Sequence, residues 1–313
     1  RGPRGRAPGR PNDPGRPQPT GRSRQPACRP PGTAAARPLG PAHAPGRIAG
    51  RAARTVQAAL LAGALAAGGC QATKPSGTGL ERPEAARRPR VWSVEAGRLL
   101  AWKDLPRALA PARYVLLGEL HDSPHHHRLQ AELLRDLASH GRRPAVVFEM
   151  LSADDEAPLR EALAAPRTTA QDLRRAVAWD ASGWPAWELY APVFEAALEA
   201  GLPIVPGDMG RATRSVLRKE GLAGLAPHRR EALGLTGAAP AEARRVLGAA
   251  IREGHCGLLP EAALPRMIEI QRARDAHLAL ALRKAAARPG SDGALLIAGA
   301  GHARRDVAVP AWL

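Results

Sequence analysis

Tyr114-Val-Leu-Leu-Gly-Glu119-Leu-His121-Asp122-Ser-Pro-His125-His126-His127-Arg-Leu-Gln130 is the stretch on which the reading of this chain turns. An apolar run of strand character, Tyr114 to Leu120, leads into one glutamate, one aspartate and four histidines, and an amphipathic helical pattern follows at once. Polar groups of this kind rarely crowd one strand end for packing reasons. They point to a site for a metal, a metal-containing cofactor or a polar substrate. Glu119 and His121 are two apart, so along extended backbone they face the same side.

Three more apolar runs have the length of buried strands: Ala145–Met150, Pro203–Asp208 and Ala294–Ala300. Val91–Ser93 and Leu99–Trp102 suggest a small hairpin ahead of them. Between the runs lie helical patterns, carried by Leu129, Leu133, Leu134 and Leu137, by Trp187, Tyr190, Phe194 and Leu198, and by a long segment from about Ala262 to Ala287 whose start Pro265 marks. Alternating strands and helices predict an α/β fold with a mainly parallel sheet flanked by helices. Each main run ends in polar residues: Glu119 and His121, then Glu149, then Asp208, then His302. Open parallel sheets hold ligands outside the carboxyl ends of their strands, so these residues should converge on one crevice.

Helical phase refines this picture. His126, Gln130, Leu133 and Leu137 share a face, so at least one of His125 and His126 should point to the sheet and His127 to solvent. Glu149 ends a very apolar strand, where a carboxylate is costly unless an Arg, a His or a metal pairs with it. Gly299-Ala-Gly301-His302-Ala-Arg304-Arg305-Asp306 reads as a tight turn bringing His302 to the site, with Arg304 able to hold a carboxylate or phosphate. It is no dinucleotide fingerprint, because the third glycine is missing and the strand before it is the last one. Gly254-His255-Cys256-Gly257 reads as a loop approaching the crevice, adjacent residues being poor paired metal ligands. Arg274 and Asp275 read as an ion-pair network on the helix behind that loop.

The N-terminal part has other chemistry. The formal net charge is +17, but residues 1–54 hold twelve Arg and one Asp, which leaves about +6 on the rest. With aromatics at 3% there is little to stack on bases, and a nucleic-acid partner is not expected. Residues 1–46, rich in Arg, Pro and Gly, cannot bury enough apolar surface to order themselves; the expectation is a disordered extension, read through from upstream of the true start. Residues 47–70 place Arg47, Arg51 and Arg54 before an apolar run that ends in small residues and Cys70, the order of a lipoprotein signal peptide. Cys70 would carry the lipid, and Gln71 after it implies the outer membrane, periplasmic or cell-surface side. A flexible tether over 71–90 and one compact domain over 91–313 would follow. With Cys28 in the extension and Cys70 acylated, only Cys256 is left in the folded part, so no intramolecular disulfide is expected.

Taken together, Gly118-Glu-Leu-His-Asp122 with His125, His126 and Gln130, then Phe148-Glu-Met150, Gly254-His-Cys-Gly257 with Pro260, Gln271-x-x-Arg-Asp275 and Gly299-x-Gly-His302-x-Arg304-x-Asp306-x-x-x-Pro310 resemble the ChaN family over about 91–313. These are iron-regulated haem-binding lipoproteins, related to erythromycin-esterase-like and Tiki-type hydrolases. The resemblance implies an α/β fold and a homodimer holding haem between subunits, with iron met by a tyrosine phenolate and a role in haem-iron uptake or storage. The chain has two tyrosines. Tyr114 lies at the far end of its strand, so Tyr190, in Trp184-x-x-Trp187-x-x-Tyr190, is the candidate iron ligand, phenolate being a hard donor suited to ferric iron. Glu119, His121, His125, His126, Glu149, His255, His302 and Arg304 are the further candidates for cofactor contact. The competing reading is a hydrolase in which Glu119, His121 and His302 hold Zn or Mn to activate water, or act without metal as an acid–base pair.

Overall fold

The computed structural model describes residues 89–313. The extension, the signal peptide with Cys70 and nearly all of the tether lie outside the described residues.

The described chain opens with a hairpin, β1 (Val91–Ser93) and β2 (Arg98–Leu100), paired antiparallel with Val91 opposite Leu100. A short helix, α1 (Leu105–Leu109), leads into β3 (Tyr114–Glu119) and α2 (Pro124–Ser139). Then come β4 (Ala145–Ser152), α3 (Glu156–Leu163), α4 (Ala170–Ala176), α5 (Trp187–Glu199) and β5 (Ile204–Asp208). Four helices, α6 (Arg211–Glu220), α7 (Pro227–Ala232), α8 (Ala241–Gly254) and α9 (Leu264–Ala286), precede the last strand, β6 (Ala294–Gly299). The four main strands form one parallel sheet in the order β3-β6-β4-β5.

The sheet explains the composition of its strands. Every residue of β4 and of β6 is buried, because a central parallel strand is covered on both faces and therefore lacks polar alternation. The two faces still separate with a period of two. Val146, Phe148, Leu295 and Ile297 pack under α2 and α5, against Leu134, Leu137, Val193 and Phe194. Ala145, Val147, Leu296 and Ala298 pack on α9, against Leu278, Ala279 and Leu282. Phe148 and Phe194 stack with centroids 4.3 Å apart. Strand ends agree with the sequence reading to within two residues, the second hairpin strand included, which begins one residue earlier and ends two earlier than expected.

Two expectations are corrected. His127, expected to face solvent, is fully buried. The core face of α2 runs through His127, Gln130, Ala131 and Leu134, a phase about 100° from the one starting at His126. Cys256 is disulfide-bonded, against the expectation of none. No helix among the described residues is long and apolar enough to cross a membrane.

Candidate functional site

All four parallel strands end at one edge, and the site is built there in two linked halves. The first is centred on Glu119, the last residue of β3, whose carboxylate is buried. Tyr190 of α5 donates its hydroxyl to Oε1 at 2.6 Å, and the Gln130 amide donates to Oε2 at 2.7 Å. His121 Nδ1 lies 2.9 Å from Oε1. His127 Nε2 lies 3.3 Å from Oε2, an ion-pair distance, yet off the line of a hydrogen bond. The His127 ring packs on the Tyr190 ring at 4.2 Å. Burial alone would raise the Glu119 pKa, but the contacts from His121, His127, Tyr190 and Gln130 outweigh it and hold the carboxyl at about 2. Tyr190 responds in the opposite sense. Burial and then the Glu119 charge push its phenol far above the usual tyrosine range, so it keeps its proton.

The second half is centred on Glu149 in β4. Its Oε1 accepts from Arg274 Nη2 at 2.6 Å and lies 3.2 Å from His302 Nε2. Its Oε2 accepts the backbone N–H of Gly299 at 2.8 Å. Burial opposes ionisation here too, yet His302, Arg274 and Gly299 hold Glu149 well below the usual carboxylate range. The other His302 nitrogen, Nδ1, sits 2.6 Å from Asp275. Burial would depress the His302 pKa, but the two flanking carboxylates raise it from 6.5 to about 9, so the buried ring is an imidazolium at neutral pH. Arg274 also reaches Asp208, the last residue of β5, at 3.0 Å, and Arg214 of α6 reaches the same carboxylate at 3.3 Å.

His121 joins the halves. With Nδ1 on Glu119, its Nε2 is 4.0 Å from Glu149 Oε2. A Cβ added at Gly299 would stand 2.8 Å from that Nε2, so the glycine makes room for the ring. About a third of the His121 side chain is exposed, whereas Glu119, His127, Tyr190, Glu149 and His302 are buried. Its ring meets the Trp184 ring edge-on at 5.0 Å. His121 is thus the member of the network that solvent or a ligand can reach, with one nitrogen oriented by a carboxylate. That arrangement suits proton transfer to and from a bound group.

The structure brings together Glu119, His121, Glu149, Asp208 and His302, as the strand ends predict, and adds Tyr190 of α5 to them. It leaves other candidates outside. His125 is exposed at the start of α2. His126 accepts the Leu120 N–H on Nδ1 and lines a small apolar pocket with Trp102, Leu117 and Leu133, so it does not reach Glu119 or Glu149. His255 does not approach the crevice through any hydrogen bond: its Nδ1 lies 2.7 Å from the Ile251 carbonyl of its own helix, α8. Arg304 pairs with Asp306 two residues on, at 2.6 Å, which satisfies it within its own loop. Sequence reasoning missed His127 as a site residue and set Arg274 and Asp275 aside as an ion-pair network. They are one, but its acids are Glu149 and Asp208, and Asp275 orients His302. The signal was the need of Glu149 for a buried cation.

Over residues 105–313 the sequence matches the family described as haem-binding uptake, Tiki superfamily, ChaN. The chain belongs to that family. Among solved structures, "Cofacial heme binding to ChaN of Campylobacter jejuni" aligns with a TM-score of 0.59 at 22% identity, covering 71% of this chain and 84% of that one. This likeness supports the ChaN fold. The type III effector HopBA1 aligns at 16% identity with a TM-score of 0.37, over 63% of this chain and 71% of its own, too low to carry an argument. No curated protein sequence matches.

The tyrosine that the ChaN resemblance assigns to iron does not fit the position of Tyr190. Its ring is fully buried and its hydroxyl proton is committed to Glu119. Tyr114 is half-buried at the opposite end of β3, beside Arg113. What the rim does offer a porphyrin is an apolar side chain, Leu120, half exposed, and the exposed imidazole of His125 close by in sequence. Among the described residues, no group of three or more His, Cys, Asp and Glu side chains is arranged to hold a metal ion.

Proposed function

We propose that this protein binds haem at the carboxyl edge of its sheet and serves haem-iron uptake or storage. The observation that carries the reading is membership of the ChaN haem-binding family across the whole parallel sheet. His125 and the apolar Leu120 are the residues that would hold the group, with imidazole in place of the buried phenol. Bound haem would supply a coordinated iron, and the chain would supply an apolar contact and a ligand. The reading extends to a homodimer around the haem and to a lipid on Cys70 that anchors the protein at the outer membrane. These extensions rest on the resemblance and on the charge-apolar-small-Cys order of residues 47–70.

Haemin titration of the purified chain tests the proposal. The expected result is a saturable Soret shift near one haem per chain, accompanied by dimerisation in sedimentation. His125→Ala should weaken binding or change the spectrum, and Tyr190→Phe should leave both as they were. A tyrosinate-type spectrum that disappears in Tyr190→Phe would overturn the ligand assignment, and absence of saturable binding would overturn the function. Incorporation of labelled palmitate, lost in Cys70→Ser, tests the anchor.

One observation favours a second reading. His121, partly exposed and held between two ionised carboxylates, is built like a general base, which suits hydrolysis of an ester or amide without a metal. Turnover of such a substrate, abolished in His121→Ala with no metal in the purified protein, would favour it over the carrier.

A further inference from the structure

A cleft of about 720 Å³ opens beside the strand-end site. One wall is the segment from Ala176 to Trp184, and Trp184 is the residue whose ring meets His121. The opposite wall is α6, which turns Arg211, Arg214 and Arg218 into the cleft, at spacings of three and four residues that place them on one helix face. Arg274 joins them as a fourth lining arginine.

The acids of this cleft are already engaged. Asp208 is buried and held by Arg274 and Arg214. Asp155 caps the Ser152 N–H and hydroxyl, and Asp154 accepts the Arg211 N–H at the start of α6. The arginines are not fully used in return. A guanidinium has five N–H donors. Among the described residues, Arg214 makes a single contact, at 3.3 Å, the Arg211 side chain stands 3.5 Å from Asp154, and Arg218 has no acidic partner. Guanidinium donors without acceptors face a concave space next to the one reachable imidazole of the network. The backbone adds an independent sign. Ala178, which lines the same cleft, sits in the left-handed region at φ 46° and ψ 47°. A non-glycine residue held there costs on the order of 1 kcal/mol, a strain that gathers at ligand-binding walls.

We propose that this cleft binds the anionic end, carboxylate or phosphate, of the ligand that acts at His121. Planar guanidinium groups match both anions through paired N–H donors. The remainder of the ligand then lies against Trp184 and His121. The inference rests on the strand edge being the functional site and does not require the ligand to be haem.

Calorimetric titration of the purified chain with citrate and, separately, with pyrophosphate tests it. One saturable, salt-sensitive site per chain is expected for at least one of them, and the tighter probe tells carboxylate from phosphate. Arg218→Glu reverses an exposed charge with no acidic partner among the described residues, so the fold should keep its melting temperature while the affinity falls about tenfold or more. Trp184→Phe should remove the fluorescence change that accompanies binding. Failure of both anions to bind saturably, or unchanged affinity in Arg218→Glu, would overturn the proposal. Neither probe contains iron or a porphyrin. Anion binding without haem binding removes the haem reading alone, and haem binding without anion binding removes this one alone.

Discussion

Raising the pH should destabilise this fold through one buried ring. His302 is nearly excluded from solvent between Asp275 and Glu149, and its pKa is raised from 6.5 to about 9. A group whose folded pKa lies above its unfolded one stabilises fully below the unfolded value, and that stabilisation is lost as pH rises through the folded one. The window here runs from about pH 6.5 to about pH 9. At about 1.36 kcal/mol per unit, the full shift corresponds to roughly 3 kcal/mol. Between pH 7 and 9.5 the loss should be roughly 2–3 kcal/mol, a large part of the 5–15 kcal/mol that stabilises a typical domain. Of the two flanking carboxylates, Glu149 is held low and stays ionised throughout, whereas burial raises Asp275 against its contact with His302. His277, with a pKa lowered by burial, titrates on the acid side of the window. Urea unfolding at half-unit pH steps would show the midpoint falling with an unchanged slope. His302→Gln should be less stable at pH 7 and should show little of the decline. A flat profile in the native protein, or an equal decline in His302→Gln, would refute the imidazolium between two carboxylates.

Three further outcomes follow from the same network. Tyr190→Phe removes a hydrogen bond to a buried charge and should cost about 1.5–3 kcal/mol in unfolding free energy. Glu119→Gln should cost about 3 kcal/mol, since a buried charged partner is withdrawn, and the Tyr190 phenol, followed by ultraviolet difference titration, should fall from its elevated pKa while burial still keeps it raised. Gly299→Ala places a methyl group 2.8 Å from His121 Nε2, so the ring must move; the His121 imidazole signals in NMR should shift, with a stability loss of about 1–3 kcal/mol from overpacking. Unshifted His121 signals in that variant would mean that the ring does not occupy this place in solution.

The sequence by itself determined the parallel sheet and the location of the candidate site. Buried parallel strands are continuous apolar runs, and a charged residue closing such a run has nowhere to lie but at the carboxyl edge, so Glu119, Glu149, Asp208 and His302 could be assigned to one crevice before any partner was known. It could not determine which helix face turns inward. On α2, starting the face at His126 or at His127 buries leucines and Gln130 in either phase; the choice fell to His127 because α5 lays the Tyr190 ring against it. Nor could it pair the charges. Arg274 meets Glu149 across 125 positions, and Tyr190 meets Glu119 across 71, distances over which no local periodicity carries information. The same packing took Tyr190 from candidate iron ligand to buried hydrogen-bond donor, and left His121 as the member of the network open to a ligand. Periodicity reports which residues must leave water. Which polar groups they meet when they do depends on how the helices dock, and that is a property of the assembled fold.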